Sequence, residues 1–267
     1  MKISFIGGGN MATALIAGLA GKQMHVVDPN AEARQRLAAR YGVSIAPAID
    51  GALAASDVIV LAVKPQNMRD VAAALLPHLA ASKPLILSIA AGIRGADLAR
   101  WLGGYSAIVR TMPNTPALIG LGITGMVAMD GVSEAQKQAA DAIMKAVGQT
   151  VWLDDEAQID PVTAVSGSGP AYVFYFIEAM QQAAVELGLS EEQGKQLALA
   201  TFVGAAQLAA QSSDPVPVLR DKVTSKGGTT YAALTSMEQS GVKERIVAAV
   251  KAAAARGREL GDELGAG

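Results

Sequence analysis

Short apolar runs alternate with longer helical stretches in the first part of the chain, up to about Trp152. The runs are rich in β-branched residues and almost continuously hydrophobic, which is typical of parallel strands covered by helices on both faces. Two later runs flank a helical segment at residues 133–147 and are expected to extend the sheet at one edge. The predicted strands cover residues 3–6, 25–27, 58–63, 85–89, 107–110, 124–129 and 150–153.

The strand pattern stops after Asp160-Pro161, and the remainder predicts helices at residues 170–187, 190–210, 217–223 and from 242 onward. Gly188 and Ser190 have the character of a helix end followed by the N-cap of the next helix. We expect a boundary near Glu156, with a sheet domain at residues 1–156 and an all-helical domain at residues 157–267. A helical domain this small and apolar is expected to bury a face against a second subunit; packing on its own first domain is the alternative.

A glycine-rich turn follows the first predicted strand and opens a helix: Gly7-Gly8-Gly9-Asn10-Met11-Ala12. Glycines permit a tight turn and a close backbone approach, and the helix start presents free N–H groups to a pyrophosphate. Strand, turn and helix come in the order that a dinucleotide-binding motif requires. The fold class is therefore predicted to be α/β, a Rossmann-type doubly wound and mostly parallel sheet followed by an all-helical dimerisation domain.

Asp28 follows the second predicted strand, where an acidic residue of a dinucleotide-binding fold accepts hydrogen bonds from the adenosine ribose and favours NAD. The alternative is that Asp28-Pro29-Asn30 simply starts the next helix. Arg34 lies one turn inside that helix and is placed to meet a 2′-phosphate. The choice between NAD and NADP therefore stays open at this point.

Three more loops leave the carboxyl ends of predicted strands, which is where ligands bind in open α/β sheets. Lys64 is a candidate for the cofactor crevice, although an isolated loop lysine is more often simply solvated. Proline fixes φ, so the loop with two prolines is rigid, and a structural elbow is its alternative role. These loops are Ala62-Val63-Lys64-Pro65-Gln66, Ile89-Ala90-Ala91-Gly92 and Met112-Pro113-Asn114-Thr115-Pro116.

Two turns of the helical half are rich in hydroxyl groups and glycine: Ser166-Gly167-Ser168-Gly169-Pro170 and Thr224-Ser225-Lys226-Gly227-Gly228-Thr229-Thr230. The second precedes a helix, so its backbone N–H groups, hydroxyls and positive helix end are suited to binding a small carboxylate. A capped helix start without a ligand is the alternative for each.

Composition and charge exclude several classes of function. The chain is 51% hydrophobic and 17% charged, which excludes disorder, and its net charge of −2 offers no basic surface for nucleic acid. No apolar run is long enough to span a membrane, and residues 1–10 do not predict a secretory signal. The absence of cysteine fits a reducing compartment, and we expect a cytoplasmic protein. His25 in a strand and His78 in a turn suggest neither a metal site nor a catalytic triad.

Five segments, in order over nearly the whole chain, closely resemble pyrroline-5-carboxylate reductase, the family that catalyses the last step of proline synthesis. The last three are specific to that family. The segments are residues 7–12, 62–66, 109–116, 166–172 and 223–230.

The resemblance implies reduction of 1-pyrroline-5-carboxylate to L-proline, usually with NADPH. It places the cofactor on residues 7–12 and 62–65, with Ala90 and Ala91 near the nicotinamide. Thr229 and Thr230 would bind the substrate carboxylate through backbone N–H groups, with the Thr230 hydroxyl facing the ring nitrogen. Ser225 would assist, and Glu156 corresponds to an acidic residue that some members place near the substrate. The family forms interlaced helical dimers, and some members assemble dimers into decamers.

The sequence departs from the family in three places. Asp28-Pro29-Asn30 replaces a Ser- or Asn-Arg-rich loop of many NADPH-preferring members, Ile49 replaces a cofactor-contacting Asn, and Lys226 replaces a common Pro. The first departure weakens the expectation of NADPH and makes NADH a second candidate.

Two other functions are consistent with the same architecture. A β-hydroxyacid dehydrogenase also joins a Rossmann domain to a helical one, but residues 170–189 lack the lysine that such enzymes commonly use. A non-catalytic dinucleotide-sensing dimer would explain the lack of an obvious acid–base residue. A protonated cyclic imine, however, is already electrophilic, so positioning it beneath the nicotinamide is expected to suffice.

Overall fold

The computed structural model describes residues 1–266, and its first part is built on one sheet. The strands are β1 (Lys2–Ile6), β2 (Gln23–Val27), β3 (Ser44–Ala46), β4 (Val58–Leu61), β5 (Leu85–Ser88), β6 (Ile108–Met112), β7 (Gly122–Ala128) and β8 (Gly148–Trp152). Their order is β3-β2-β1-β4-β5-β6-β7-β8, and every neighbouring pair is parallel except β6 and β7. The predicted fold class is confirmed.

Helices cover both faces of this sheet and make up the later part of the chain. They are α1 (Asn10–Gly18), α2 (Ala31–Tyr41), α3 (Met68–Leu75), α4 (Leu79–Ser82), α5 (Gly95–Trp101), α6 (Glu134–Lys145), α7 (Ile159–Val162), α8 (Gly169–Glu186), α9 (Glu191–Gln211), α10 (Val216–Lys222), α11 (Thr229–Gln239) and α12 (Val242–Gly265). Among the residues described, no helix is long and apolar enough to cross a membrane.

The core has two layers because successive side chains of the buried strands point to opposite faces of the sheet. Phe5 and Val60 belong to one layer, with residues of α1, α2 and α6. Ile59 and Ile86 belong to the other, with residues of α3, α4 and α5. This double coverage explains why the central strands are apolar at every position, as the sequence pattern indicated.

The sheet extends beyond the predicted strands at both edges. β3 was not predicted, because it has only three residues and Ala46 alone among them is buried. At the opposite edge β7 and β8 extend the sheet as expected. The chain reverses at β7 because only a single short turn of 3-10 helix, Thr115–Ile119, separates β6 from β7, and a parallel crossover needs a longer connection.

The chain forms two compact units. The first comprises Met1–Ser168 together with the chain from Ala252 onward, and the second is Gly169–Lys251. The final helix, α12, therefore begins in the second unit and ends in the first. The boundary near Glu156 stays a prediction. Within the second unit, Ser190 caps α9 through the amide of Gln193, and the preceding Gly188 has a φ of +94°, as the sequence indicated.

Candidate active site

The glycine turn between β1 and α1 has the geometry of a dinucleotide-binding turn. Gly7 has a φ of +103° and donates its N–H to the carbonyl oxygen of Val27 at 2.7 Å. A Cβ at Gly7 would lie 2.4 Å from the carbonyl oxygen of Ala62, so no side chain fits there. Gly9 precedes α1, whose N-terminus no side chain caps, and a Cβ at Gly9 would meet no atom within 4 Å. The first amides of α1, including those of Asn10 and Met11, are thus available to an anion.

Asp28 joins the glycine turn to the start of α2 through its two carboxylate oxygens. Oδ2 accepts the N–H of Gly8 at 2.6 Å, and Oδ1 accepts the N–H of Asn30 at 2.8 Å. The helix α2 is capped by Asn30, whose side chain accepts the N–H of Ala33, and not by Asp28. Asp28 is therefore a fixed negative charge beside the glycine turn, at the end of β2, as the sequence predicted.

A cavity of about 270 Å³ opens beside Asp28. Arg34, the cation that the sequence singled out, donates to the backbone carbonyl oxygen of Asp28 and is not among the residues that line this cavity. Arg36 faces the cavity instead. The lining residues are Gly8, Gly9, Asp28, Asn30, Glu32, Ala33 and Arg36. The cavity therefore presents two carboxylates and one guanidinium to any group bound next to Asp28.

The loop after β4 lies directly against the glycine turn. Ala62 donates its N–H to the carbonyl oxygen of Ile6 at 2.8 Å, and its own carbonyl oxygen faces Gly7. Val63 is half-buried, and Lys64 is exposed at the start of the 3-10 turn Pro65–Asn67. The backbone of residues 62–65 thus forms the side of the crevice opposite Asp28, because β1 lies between β2 and β4 in the sheet.

The loop after β5 is the next one along the same edge of the sheet. Ile89 donates its N–H to the carbonyl oxygen of Leu61 at 3.2 Å, which joins this loop to the end of β4. Ala90 is buried and Ala91 is exposed, and Gly92 has a φ of +76°. All the predicted cofactor residues therefore lie in the first unit, at the carboxyl ends of β1, β2, β4 and β5, where the strand order reverses.

Glu156 lies at the start of a 3-10 turn and reaches back to the sheet. Its Oε1 accepts a hydrogen bond from Nη1 of Arg110 at 2.8 Å and from the N–H of Gly95 at 2.6 Å. Arg110 projects from β6 and is only 4% exposed. A buried guanidinium requires an acidic partner, so the ion pair between Arg110 and Glu156 is explained by the fold alone. Arg110 was not among the site residues predicted from the sequence, although an arginine in the apolar run Ile108-Val109-Arg110 indicates that a carboxylate lies close.

The predicted substrate residues lie at the start of α11, in the second unit. Gly227 has a φ of +74°, which favours glycine, and a Cβ at Gly228 would lie 2.5 Å from Oγ of Ser225, so a side chain there would displace this hydroxyl. Gly228 precedes α11, and no side chain caps the helix. The N-terminal amides of α11 and the hydroxyls of Thr229 and Thr230 are thus brought together, with Thr229 exposed and Thr230 half-buried.

Asn114 ties together the two remaining conspicuous segments, and the sequence analysis gave it no such role. Its Oδ1 accepts the N–H of Ile123 at 2.9 Å, and its Nδ2 donates to the carbonyl oxygen of Ser166 at 3.1 Å. The segment after Ser166 is not a simple capped helix start, because residues Thr163–Gly167 form a π-helical turn between α7 and α8. The structural elbow proposed as the alternative for residues 112–116 therefore fits the structure, whereas the capped helix start proposed for the Ser166 segment does not.

These features fit a dinucleotide and do not suggest a metal. The backbone cradle at Gly7, the uncapped start of α1 and the fixed Asp28 carboxylate match the parts of a bound dinucleotide from pyrophosphate to ribose. Among residues 1–266 no group of three or more His, Asp or Glu side chains is placed to hold a metal ion.

Comparison with known proteins gives matches over the whole chain. Residues 156–260 match the family described as pyrroline-5-carboxylate reductase dimerisation, and residues 2–92 match NADP oxidoreductase coenzyme F420-dependent. A pyrroline-5-carboxylate reductase of Pseudomonas aeruginosa is 47% identical over 99% of this chain and 98% of its own length.

Two solved structures are similar over their full length. A pyrroline-5-carboxylate reductase from Coxiella burnetii superposes with a TM-score of 0.91 at 39% identity, covering 97% of each chain. The pyrroline carboxylate reductase of Plasmodium falciparum, solved with NADP bound, has a TM-score of 0.86 at 31% identity, covering 98% of each chain. Because it matches pyrroline-5-carboxylate reductases over nearly its full length at up to 47% identity, this chain belongs to the pyrroline-5-carboxylate reductase family.

Proposed function

We propose that this chain reduces 1-pyrroline-5-carboxylate to L-proline with a reduced nicotinamide dinucleotide, the last step of proline biosynthesis. The observation that carries the proposal is the uncapped, hydroxyl-rich start of α11 at Thr229 and Thr230. It lies within the region that matches the reductase dimerisation family. A carboxylate-binding helix start in a chain that also has a dinucleotide turn is what reduction of a small imino acid requires.

The cofactor is proposed to bind along the carboxyl edge of the sheet, from Asp28 at the adenosine ribose to Ala90 and Ala91 at the nicotinamide. Once bound, the reduced nicotinamide supplies the hydride. The protein holds the pyrophosphate with the amides at the start of α1, and the close approach of Ala62 to Gly7 keeps this backbone rigid. The proposed cofactor residues are Gly7, Gly8, Gly9, Asn10, Met11, Asp28, Ala62, Val63, Lys64, Pro65, Ala90 and Ala91.

NADPH is proposed as the cofactor, with NADH as the second candidate. Arg36 supports NADPH, because it is the only cation among the described residues that line the cavity beside Asp28. Asp28 and Glu32 support NADH, because two carboxylates in the same cavity repel a 2′-phosphate. The relative rates with the two cofactors therefore depend on a local balance between one guanidinium and two carboxylates.

The substrate is proposed to bind through its carboxylate to the backbone amides of Thr229 and Thr230, with Ser225 assisting. The oxygen of the Thr230 hydroxyl would then accept a hydrogen bond from the N–H of the protonated ring nitrogen, which makes Thr230 the proposed catalytic residue. No strong acid or base is needed there, because a protonated imine accepts hydride directly. Glu156 stays a prediction as a substrate contact, since its Oε1 is already shared between Arg110 and Gly95.

Self-association is proposed to give a homodimer, which in some family members assembles further into a decamer. The match to a dimerisation family over residues 156–260 supports the dimer. The decamer rests on the family resemblance alone. The proposed cytoplasmic location rests on the absence of cysteine and of a predicted secretory signal.

The deciding measurement is the initial rate of NADPH and NADH oxidation by the purified protein, with and without 1-pyrroline-5-carboxylate. Oxidation that depends on the imine, with L-proline as the product, supports the proposal. Cofactor binding without oxidation would instead favour a dinucleotide sensor. Turnover of a β-hydroxyacid with the oxidised cofactor would favour the dehydrogenase, which the absence of lysine from α8 opposes.

A further inference from the structure

The loop that joins β5 to α5, residues 89–94, is held in place from two sides, by Glu156 and by the last part of α12. If the proposed function is correct, this loop lies at the nicotinamide, because β5 is on the side of β1 opposite the ribose cavity at β2. The role of the residues that hold this loop in place therefore rests on the proposed function.

The first fixing point is the carboxylate of Glu156. Its Oε1 joins the backbone N–H of Gly95, directly after the loop, to the guanidinium of Arg110 on β6. Arg110 is buried and Glu156 is about one-quarter exposed, so water screens this pair poorly. Through this one oxygen atom, the residue that follows the loop is joined to strand β6.

The second fixing point is the last part of α12, which belongs to the same compact unit. Arg94 donates from Nη2 to Oδ1 of Asp262 at 2.6 Å and to the carbonyl oxygen of Arg258 at 3.3 Å. A Cβ at Gly261 would lie 3.0 Å from both Nε and Nη2 of Arg94, so the guanidinium lies flat on the helix where a side chain is missing. The hydrogen bond from Arg94 to Asp262 raises the pKa of Arg94.

The backbone of the loop itself also rests on α12. Gly92 adopts a φ of +76°, and a Cβ there would lie 2.9 Å from Cδ1 of Leu264 and 3.6 Å from Cβ of Leu260. The left-handed conformation favours glycine, and the absence of a Cβ leaves room for the side chains of Leu260 and Leu264 against the loop. The backbone of the loop is therefore packed against the last part of α12.

We propose that Glu156 and Asp262 are positioning residues that fix the backbone of Ala90 and Ala91 where the nicotinamide ring binds. Neither residue touches the reacting atoms in this proposal. Hydride transfer is steeply sensitive to the distance between donor and acceptor, and a misplacement of about 1 Å can reduce the rate about 100-fold. Small displacements of a loop that backs the ring are therefore expected to lower turnover more than binding.

The test compares Asp262→Asn with Glu263→Gln. The two residues are adjacent on α12, and each substitution removes one negative charge. Asp262 pairs with Arg94 of the loop, whereas Glu263 pairs with Arg256 of its own helix. Both pairs are exposed, so neither change is expected to impair folding. We expect kcat to fall about fivefold in Asp262→Asn, with KM for the imine changed less than about twofold, and no change in Glu263→Gln.

Glu156→Gln and Arg110→Lys test the other fixing point. If Glu156 acts through the loop, both variants lower kcat about tenfold or more, leave KM for the imine within about twofold, and increase the primary isotope effect measured with deuterated cofactor. If Glu156 instead contacts the substrate, Glu156→Gln raises KM for the imine while Arg110→Lys does not, and the positioning role is refuted.

Two measurements that need no turnover test the positioning role independently of the proposed reaction. Hydrogen exchange of residues 89–97 in the cofactor-free protein should be faster in Asp262→Asn and unchanged in Glu263→Gln. The fluorescence of bound NADH should weaken in the first variant only. If the wild type reduces no imine, the proposed function fails while these two measurements still test the loop. Equal exchange and equal fluorescence in all three proteins would overturn the positioning role.

Discussion

Asp28 contacts two backbone amides, and these contacts fix its charge beside the cavity in which the ribose is proposed to bind. Oδ2 binds the amide of Gly8 and Oδ1 the amide of Asn30, so the carboxylate has a structural role even without a cofactor. The role of the Thr230 hydroxyl differs from that of the Asp28 carboxylate. It is half-buried in the first turn of α11, and its hydroxyl is proposed to act only when the imine is present. Substitutions at these two residues therefore separate cofactor choice from turnover.

Asp28→Ser is expected to raise the ratio of kcat/KM for NADPH over NADH about tenfold, which corresponds to about 1.4 kcal/mol. The change removes a charge that repels the 2′-phosphate and weakens binding of the ribose hydroxyl, while Arg36 remains. Steady-state kinetics with both cofactors measures the ratio. Glu32→Gln, which removes a charge from the same cavity without touching the glycine turn, should move the ratio less. An unchanged ratio would limit Asp28 to bracing Gly8 and Asn30.

Thr230→Ala is expected to lower kcat/KM for the imine about 100-fold with little change in cofactor affinity. Thr224→Ala is the matched control, because the Thr224 hydroxyl donates to the carbonyl oxygen of Arg220 and serves the fold. Thr230→Ser keeps the hydroxyl and should restore most of the activity. Titration of cofactor fluorescence gives the affinity. A large loss of cofactor binding in Thr230→Ala would contradict its assignment to the substrate.

At the scale of elements, one carboxylate links helix α6 to the last strand, β8. Asp141 accepts hydrogen bonds at Oδ1 from Oγ1 of Thr150 at 2.6 Å and from Nε1 of Trp152 at 3.3 Å, and its Oδ2 pairs with Nζ of Lys145 at 2.7 Å. Burial alone would raise the pKa of Asp141. The hydrogen bonds from Lys145, Thr150 and Trp152, with the charge of Lys145, outweigh it, and the pKa is lowered.

Asp141→Asn is expected to reduce the free energy of unfolding by about 1–2 kcal/mol near neutral pH. Because the folded pKa lies below the unfolded value of about 3.9, the stabilisation is present above that pH and disappears as the pH falls through the folded pKa. The difference between variant and wild type should therefore shrink under acid. Urea unfolding over a pH series measures it, with exposed Asp130→Asn as the control. A difference independent of pH would assign the effect to packing.

Elements whose signals are local could be predicted from the sequence, and those that depend on distant partners could not. The glycine turn, the cap at Ser190 and the buried central strands have local patterns, and all are present. β3 was missed because three residues with one buried side chain leave no periodicity. The contact of Arg110 with Glu156 joins residues 46 positions apart, and no pattern near either residue indicates its partner.

At the scale of the whole molecule, apolar side chains are distributed unevenly between the two units. In residues 169–251, all of which the structure describes, Ile177 and Ala198 are the only buried hydrophobic residues. Large apolar side chains are exposed on its helices instead, among them Phe174, Tyr175, Leu197, Val203 and Leu208. A helical unit with so little core of its own does not bury enough apolar surface to be stable alone. The exposed residues are therefore expected to be covered by a second copy of the chain.

Val203→Glu tests this expectation, because Val203 lies within α9 and is 58% exposed in the single chain. A charge there would be unfavourable only if the residue is covered in the assembly, and we expect the dissociation constant of the dimer to rise at least about 100-fold, or about 2.7 kcal/mol. Val151→Glu on β8 is the control, because Val151 is 46% exposed and lies in the other unit, which has two buried core layers of its own. Sedimentation velocity over a range of concentrations should show dissociation of the first variant only, and its wild-type boundary distinguishes a dimer from a decamer. Since the second unit has so little core, dissociation should also lower the thermal stability of Val203→Glu at low protein concentration. A Val203→Glu variant that stays as strongly associated as the wild type would show that Val203 does not lie in an interface.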